Sequence, residues 1–178
     1  HAGNVGGVEG VARAKAELFE ALPTDGVAIV NADDPRCVRE AQAKARCRQL
    51  AFGRAPWADL RLVSARDLAQ GGQELELSYK SETIEVTIPL EGRHNALNAA
   101  AAVAVAVALD APFRVAALGL AGVRSAHGRL ERRVRADGAW ILDDTYNANP
   151  DSMEAALATL VELAGARRRV VALGEMRE

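Results

Sequence analysis

The chain has 178 residues, 49% hydrophobic and 26% charged, with a formal net charge of −2. That is enough chain for one or two globular units with a substantial core, and so small a charge leaves no bulk electrostatic case for nucleic acid or an anionic membrane as partner. Cys37 and Cys47 are too few for a disulfide scaffold and lack metal-ligand spacing, so a reducing, cytoplasmic setting is expected.

Val8 to Leu22 carries apolar residues near helical period, and Pro23 ends it. Gly26 to Asn31 is a short apolar run after a turn and reads as a buried parallel strand. Asp33-Asp34-Pro35 starts a second helix over Arg36 to Lys44, and Arg48 to Phe52 returns as a strand, the local grammar of a parallel sheet. Between Asp59 and Pro89 the texture changes. Leu60–Val63, Glu74–Tyr79 and Thr83–Ile88 alternate polar and apolar residues, which predicts an antiparallel patch with one wet face. Asn95 to Leu109 alternates like a strand at Ala102–Val107, yet its length and alanine content favour a buried helix. Pro112 to Gly122 is a shorter helix. Leu130–Val134 and Ala139–Leu142 are strand candidates, Met153–Ala164 a helix, and Val170–Leu173 a strand completing a second α/β unit. The boundary is placed at His127-Gly128, giving units 1–127 and 128–178. The basic run Arg167-Arg168-Arg169 reads as a solvated edge, and no stretch reaches the roughly 20 apolar residues of a membrane helix.

The most informative stretch is Leu142-Asp143-Asp144-Thr145-Tyr146-Asn147-Ala148-Asn149-Pro150. It puts two carboxylates at the end of a strand, then polar turn residues, then a helix that Asp151 or Ser152 could cap. In open α/β folds ligands bind at the carboxyl ends of strands, where a carboxylate commonly accepts hydrogen bonds from a ribose. An isolated Asp-Asp pair more often just ends a strand and caps a turn. Alternation should send Asp143 and Asp144 to opposite faces, so one role cannot serve both. Gly92-Arg93-His94-Asn95-Ala96-Leu97-Asn98 precedes the alanine-rich helix. Asn95 and Asn98 can each offer a donor and an acceptor to an adenine edge, or simply cap and fill a helix start. In Gly128-Arg129-Leu130, Arg129 at the unit boundary has a planar fork suited to phosphate, or is a surface arginine.

These constellations, with His1 and Lys15 in the opening His1-Ala2-Gly3-Asn4 to Leu18-Phe19 run, fall in the order and spacing of the Mur ligase family, which the whole chain resembles. The Tyr-Asn-Ala-Asn-Pro run is most similar to the branch that adds D-alanyl-D-alanine to UDP-N-acetylmuramoyl-tripeptide. The resemblance implies a parallel-sheet ATP-binding central domain, of which this is the later part, with a small antiparallel patch. It implies that the start of a Rossmann-like α/β C-terminal domain follows. It further implies an ATP- and Mg²⁺-dependent, cytoplasmic, monomeric ligase forming an amide bond through an acyl phosphate, with those two small molecules as substrates. By residue, it implies adenine contacts at Asn95 and Asn98 and a phosphate contact at Arg129. Asp144 falls on the ribose, and Asn147 and Asn149 lie near nucleotide and incoming amine, with Tyr146 a stacking surface or a core aromatic. Lys15, as a carbamate, and His1 take the catalytic metal-binding role, since a carbamate turns a cation into the hard oxygen donor Mg²⁺ prefers.

One expected motif is missing. The phosphate-cradling GxxxxGK[ST] loop does not occur in the chain, so this segment alone is expected to be inactive. The chain lacks an initiator Met and any signal-peptide pattern at its start, and both ends are expected to continue in a longer protein. Two rival readings are another superfamily member, such as a single-amino-acid ligase or folylpolyglutamate synthase, and a non-catalytic α/β binding module.

Overall fold

The computed structural model describes residues 6–174 and 176. Two sheets and five α-helices run in the order α1 (Gly7–Ala21), β1 (Val27–Asn31), α2 (Pro35–Lys44), β2 (Arg48–Gly53), β3 (Leu60–Asp67), β4 (Gln73–Tyr79), β5 (Glu82–Ile88), α3 (Arg93–Ala108), α4 (Phe113–Gly119), β6 (Glu131–Val134), β7 (Trp140–Asp143) and α5 (Pro150–Ala164). The larger sheet has the order β1-β2-β3-β4-β5. β1 to β3 are parallel, and β3 to β5 antiparallel. The antiparallel patch expected from the alternating sequence is therefore the far half of the same sheet, joined through β3, rather than a separate layer.

Strand alternation explains which helices cover which face. In β1, Ala28 and Val30 pack with Ala41, Phe19 and Leu22 of the α1–α2 side, while Val27 and Ile29 join the core beneath α3. That larger core sets Leu60, Leu62, Leu75, Leu77, Val86 and Ile88 against Ala96, Ala100, Val103 and Ala104. Ala96, Ala100 and Ala104 are each 0% exposed, four residues apart on one stripe. Alanine there lets the α3 backbone lie close to the sheet, and the alternation across Ala102–Val107 does not produce a strand.

The second unit departs from expectation in two places. Val170–Leu173 is not a strand: among the described residues it pairs with nothing, and Val170, Val171 and Leu173 are exposed. An apolar run becomes a strand only where a neighbouring edge can take its backbone hydrogen bonds, and among the described residues β6 and β7 pair with each other alone. The α5 cap is neither Asp151 nor Ser152. Asn149 caps it, its Oδ1 accepting from the Ser152 N–H at 2.9 Å while Ser152 Oγ accepts from the Asn149 N–H at 3.0 Å, with Pro150 in the first turn. This reciprocal box satisfies two amide donors at once and leaves Pro150, which has no N–H to satisfy, in the first turn. Similarly α3 begins at Arg93 with Gly92 as its cap, so Asn95 sits inside the first turn instead of capping it. No helix among the described residues is long and apolar enough to cross a membrane.

The core argument carries a stability prediction. Leu77 is 0% exposed, opposite Leu62 on β3 and Ile84 on β5. Leu77→Ala should lower the unfolding free energy by about 2–5 kcal/mol through lost burial and a residual cavity, measured by urea denaturation. A loss near zero would mean that α3 and the sheet do not share this core.

Candidate functional site

A cleft of about 630 Å³ lies between the first turns of α3 and α5, walled by the link at 124–126, Arg129 and the β7–α5 loop. Asn95, Asn98, Arg129, Asp144 and Asn149 all line it, as do Tyr146 and Asn147. The two helix N-termini that border it bring the positive ends of their dipoles, so the cleft favours an anion.

Each wall is held by its own hydrogen bonds. The Leu130 N–H donates to Asp144 Oδ1 at 3.0 Å, and the Tyr146 N–H donates to the Gly128 carbonyl at 3.0 Å. These two bonds stitch 128–130 to 144–146 and bring Arg129 over the Tyr146 ring, its guanidinium carbon 4.0 Å from the ring centre. A cation–π contact of this kind orients the arginine without consuming its N–H donors. On the α3 side, Asn95 Nδ2 donates to the Glu91 carbonyl at 2.7 Å, and Asn98 Nδ2 donates to Asn95 Oδ1 at 3.2 Å. Each asparagine keeps further donor and acceptor capacity toward the cleft. Asn149 lines the cleft too, but its Oδ1 is engaged in capping α5.

The two adjacent aspartates part company as strand alternation requires. Asp144 faces the cleft. Asp143 accepts from Thr145 N at 3.2 Å and Thr145 Oγ1 at 2.8 Å, closing a turn, and lies 3.6 Å from Arg133. The Thr145 hydroxyl, then its amide, with Arg133 and His127 further off, holds the Asp143 carboxyl below the usual range against a smaller opposing effect of burial. His127, Glu131 and Asp143 come within 4.8 Å of one another at ligating atoms. However, Arg133 Nη2 stands 2.9 Å from Glu131, 3.0 Å from His127 Nδ1 and 3.6 Å from Asp143. Its hydrogen bonds keep the Glu131 carboxyl down at about 2. The guanidinium already supplies the positive charge a cation would bring, so this cluster is an ion-pair network.

Lys15 is exposed on α1 and is not among the residues lining the cleft; His1 lies outside the described residues. Among the polar lining residues, His94, Arg124 and Ser125 carry no assigned role from the sequence, and Asp151 and Ser152 only that of a candidate cap. His94 had a visible signal, standing just before the two asparagines. Its surface is largely open, yet its ring sits in the concave wall. Desolvation lowers its pKa below the ordinary imidazole value, partly countered by the Asp144 carboxylate. Arg124 and Ser125 belong to an irregular link, where no periodicity marks a face.

Comparisons with known proteins agree with this architecture. The family model described as Mur ligase middle domain matches residues 1–106, and that described as Mur ligase, glutamate ligase domain matches residues 128–178. The UDP-N-acetylmuramoyl-tripeptide–D-alanyl-D-alanine ligase of Escherichia coli is 35% identical over all of this chain and 39% of its own length. The ligase of the same name from Bacillus subtilis is 33% identical over all of this chain and 37% of its length. A crystal structure of MurF from Acinetobacter baumannii superposes with a TM-score of 0.79 at 33% identity, covering 90% of this chain and 34% of that one. The chain thus spans less than two fifths of the length of these relatives.

The electrostatics make one prediction. Because burial lowers the His94 pKa and Asp144 raises it, Asp144→Asn should lower it further. A His whose folded pKa lies below its unfolded value contributes stability that is present at neutral pH and lost as pH falls through the unfolded and then the folded pKa. Imidazole carbon-bound proton shifts followed against pH would read the unaltered chain and the variant; a His94 pKa that rises in Asp144→Asn would contradict the geometry.

Proposed function

This chain belongs to the Mur ligase family, and on that premise we propose that it is the nucleotide-handling segment of an ATP-dependent ligase that adds D-alanyl-D-alanine to UDP-N-acetylmuramoyl-tripeptide in peptidoglycan synthesis. The observation that carries the reading is the convergence of Asn95, Asn98, Arg129, Asp144 and Asn149 on one cleft from three separate stretches of sequence. Matches over all of this chain to part of ligases named for the dipeptide-adding activity support that branch over single-amino-acid ligases.

In the proposed reaction the tripeptide carboxylate oxygen attacks the γ-phosphorus of ATP, and ADP leaves. The dipeptide amine then attacks the acyl carbon of the resulting acyl phosphate, an amide bond forms, and inorganic phosphate leaves as the amine loses its proton. The chain's own part is binding and positioning. Asn95 and Asn98 would bracket the adenine edge with paired donors and acceptors. Asp144, fixed by the Leu130 N–H through one oxygen, would accept from the ribose hydroxyls with the other. Arg129, oriented on Tyr146, would meet phosphate oxygens with its free N–H donors. Asn149 and Asn147 would border the side where the amine enters. Lys15 is exposed, so its amine is open to CO₂; as a carbamate, and together with His1, it would hold a magnesium ion that screens charge between phosphate and carboxylate. The assignment of 1–127 to an ATP-binding domain and 128–178 to the start of the next belongs to the same proposal, as do the cytoplasmic setting and the monomeric state.

Binding and turnover should separate in this chain. With no GxxxxGK[ST] loop in the sequence, the purified 178 residues should release no phosphate from ATP above background. ADP should nevertheless perturb amide signals of Asn95, Asn98, Arg129 and Asp144 in an NMR titration. Charge-assisted bonds are worth roughly 1.5–3 kcal/mol, so Asp144→Asn should weaken that binding by about tenfold or more. Asp143→Asn should chiefly reduce thermal stability, because its partners are Thr145 and Arg133 rather than the cleft. If Asp143→Asn weakens binding and Asp144→Asn does not, the ribose assignment is wrong.

A further inference from the structure

We propose that Glu91 and Arg132 form a positioning pair that sets the distance between the two walls of the cleft; the inference rests on the nucleotide reading above. Glu91 lies between β5 and α3 and is only 4% exposed, while Arg132 lies on β6. Arg132 Nη1 is 3.4 Å from Glu91 Oε1, so the ion pair joins the β5–α3 link to the small sheet. A second cross-unit pair, Arg93 with Glu162, has an arginine side chain 79% exposed, where screening leaves it weak.

The pair is tied directly to the proposed ligand contacts. The Glu91 carbonyl holds the Asn95 side chain at 2.7 Å. Two residues before Arg132, Leu130 donates its N–H to Asp144 at 3.0 Å. Leu130 and Arg132 both meet the first unit, at Gly92 and Glu91, while Glu131 and Arg133 belong to the opposite network. Leu130 docks on Gly92, where an added Cβ would come within 2.8 Å of its side chain, and Arg132 docks on the neighbouring Glu91. An added Cβ on Gly71, at φ +102°, would stand 2.9 Å from Arg132 Nη1 and 3.0 Å from Glu91 Oε1, so the backbone closes over the pair. The sequence of contacts therefore runs from Asn95 through Glu91 and Arg132 to Leu130 and Asp144.

The pair also has unused capacity. Glu91 Oε2 and Arg132 Nε are buried without a hydrogen-bond partner among the described residues, and the single contact between the side chains is long. Buried polar atoms left unsatisfied are unfavourable. A guanidinium edge can meet both oxygens of a carboxylate, so a small approach of β6 toward Glu91 would tighten the pair and narrow the cleft in the same movement.

The test compares the intact 178-residue chain with Glu91→Gln and Arg132→Gln, using residual dipolar couplings of backbone amides in a dilute aligning medium. In the unaltered chain one alignment tensor should fit both the five-stranded sheet with α3 and the β6–β7–α5 unit. In each variant two tensors should be needed while both units keep dispersed amide spectra, and ADP affinity should fall severalfold. Arg132→Lys keeps the charge but loses the planar edge, and serves as a second variant if the neutral ones do not fold; it should show the same split to a smaller degree. A single, unchanged tensor in the folded variants overturns the proposal whatever ADP does, and so does a split already present in the unaltered chain. Should the tensors split as expected while ADP fails to bind even the unaltered chain, the pair stands as a positioning device and the nucleotide reading falls.

Discussion

The close seat of α3 on the sheet is the constraint from which the rest of the arrangement follows. Ala96, Ala100 and Ala104 have no side chain beyond Cβ, so the helix backbone can approach Leu60, Leu62 and Leu77 closely enough to exclude water. With the helix body fixed by that contact, its first turn is fixed too, and Asn95 and Asn98 stand at one edge of the cleft. A larger residue at any of the three alanines would lift the helix and carry both asparagines with it.

The second unit is attached to that fixed edge by few contacts, and they are of different kinds. Leu130 supplies a buried apolar knob against Gly92, Arg132 a buried charge against Glu91, and Arg93 with Glu162 an exposed ion pair. Apolar burial is non-directional, whereas an ion pair in a closed site has a preferred distance and orientation. An interface combining the two can hold the units together while leaving their spacing sensitive to a single side-chain pair. Leu130 shows how tightly the junction is built: it adopts φ 50° without being glycine, while its own N–H pairs with Asp144, and Gly128, two residues earlier, pairs with Tyr146. A non-glycine residue in that region costs local energy and persists only where surrounding contacts over-determine it.

The electrostatic pattern divides cleanly across β6 and β7. One face carries His127, Glu131, Arg133 and Asp143, which satisfy one another. The other carries Asp144 toward a cleft bordered by two helix N-termini and Arg129, where the fixed partial charges are positive. An acidic group placed among positive ends is well suited to accept hydroxyl donors, and anions are drawn to the same space. That combination of one carboxylate and several anion-attracting groups fits a ligand carrying both a sugar and phosphates.

Much of this was legible in the residues themselves. Period and punctuation located the five α-helices and seven strands of the described residues to within a few positions, because helix and strand patterns report local backbone geometry. Alternation alone says that Asp143 and Asp144 cannot share one role; which of them faces a ligand, and the parts given to the asparagines and Arg129, rest on the resemblance to the Mur ligases. Local pattern could not say that Val170–Leu173 would remain unpaired, since a strand exists only through a neighbour's hydrogen bonds. Nor could it reveal that Asn149, not Asp151 or Ser152, caps α5, a choice made by the reciprocal bond with Ser152 across Pro150. Glu91 and Arg132 carried no signal at all: 41 residues apart, each reads as an ordinary charged residue until the tertiary fold buries the two against each other. The sequence by itself determined which residues could contact a ligand, because donor and acceptor chemistry belongs to the side chain; tertiary structure alone decided that they share one cleft and what sets its width, because both depend on contacts between segments far apart in the chain.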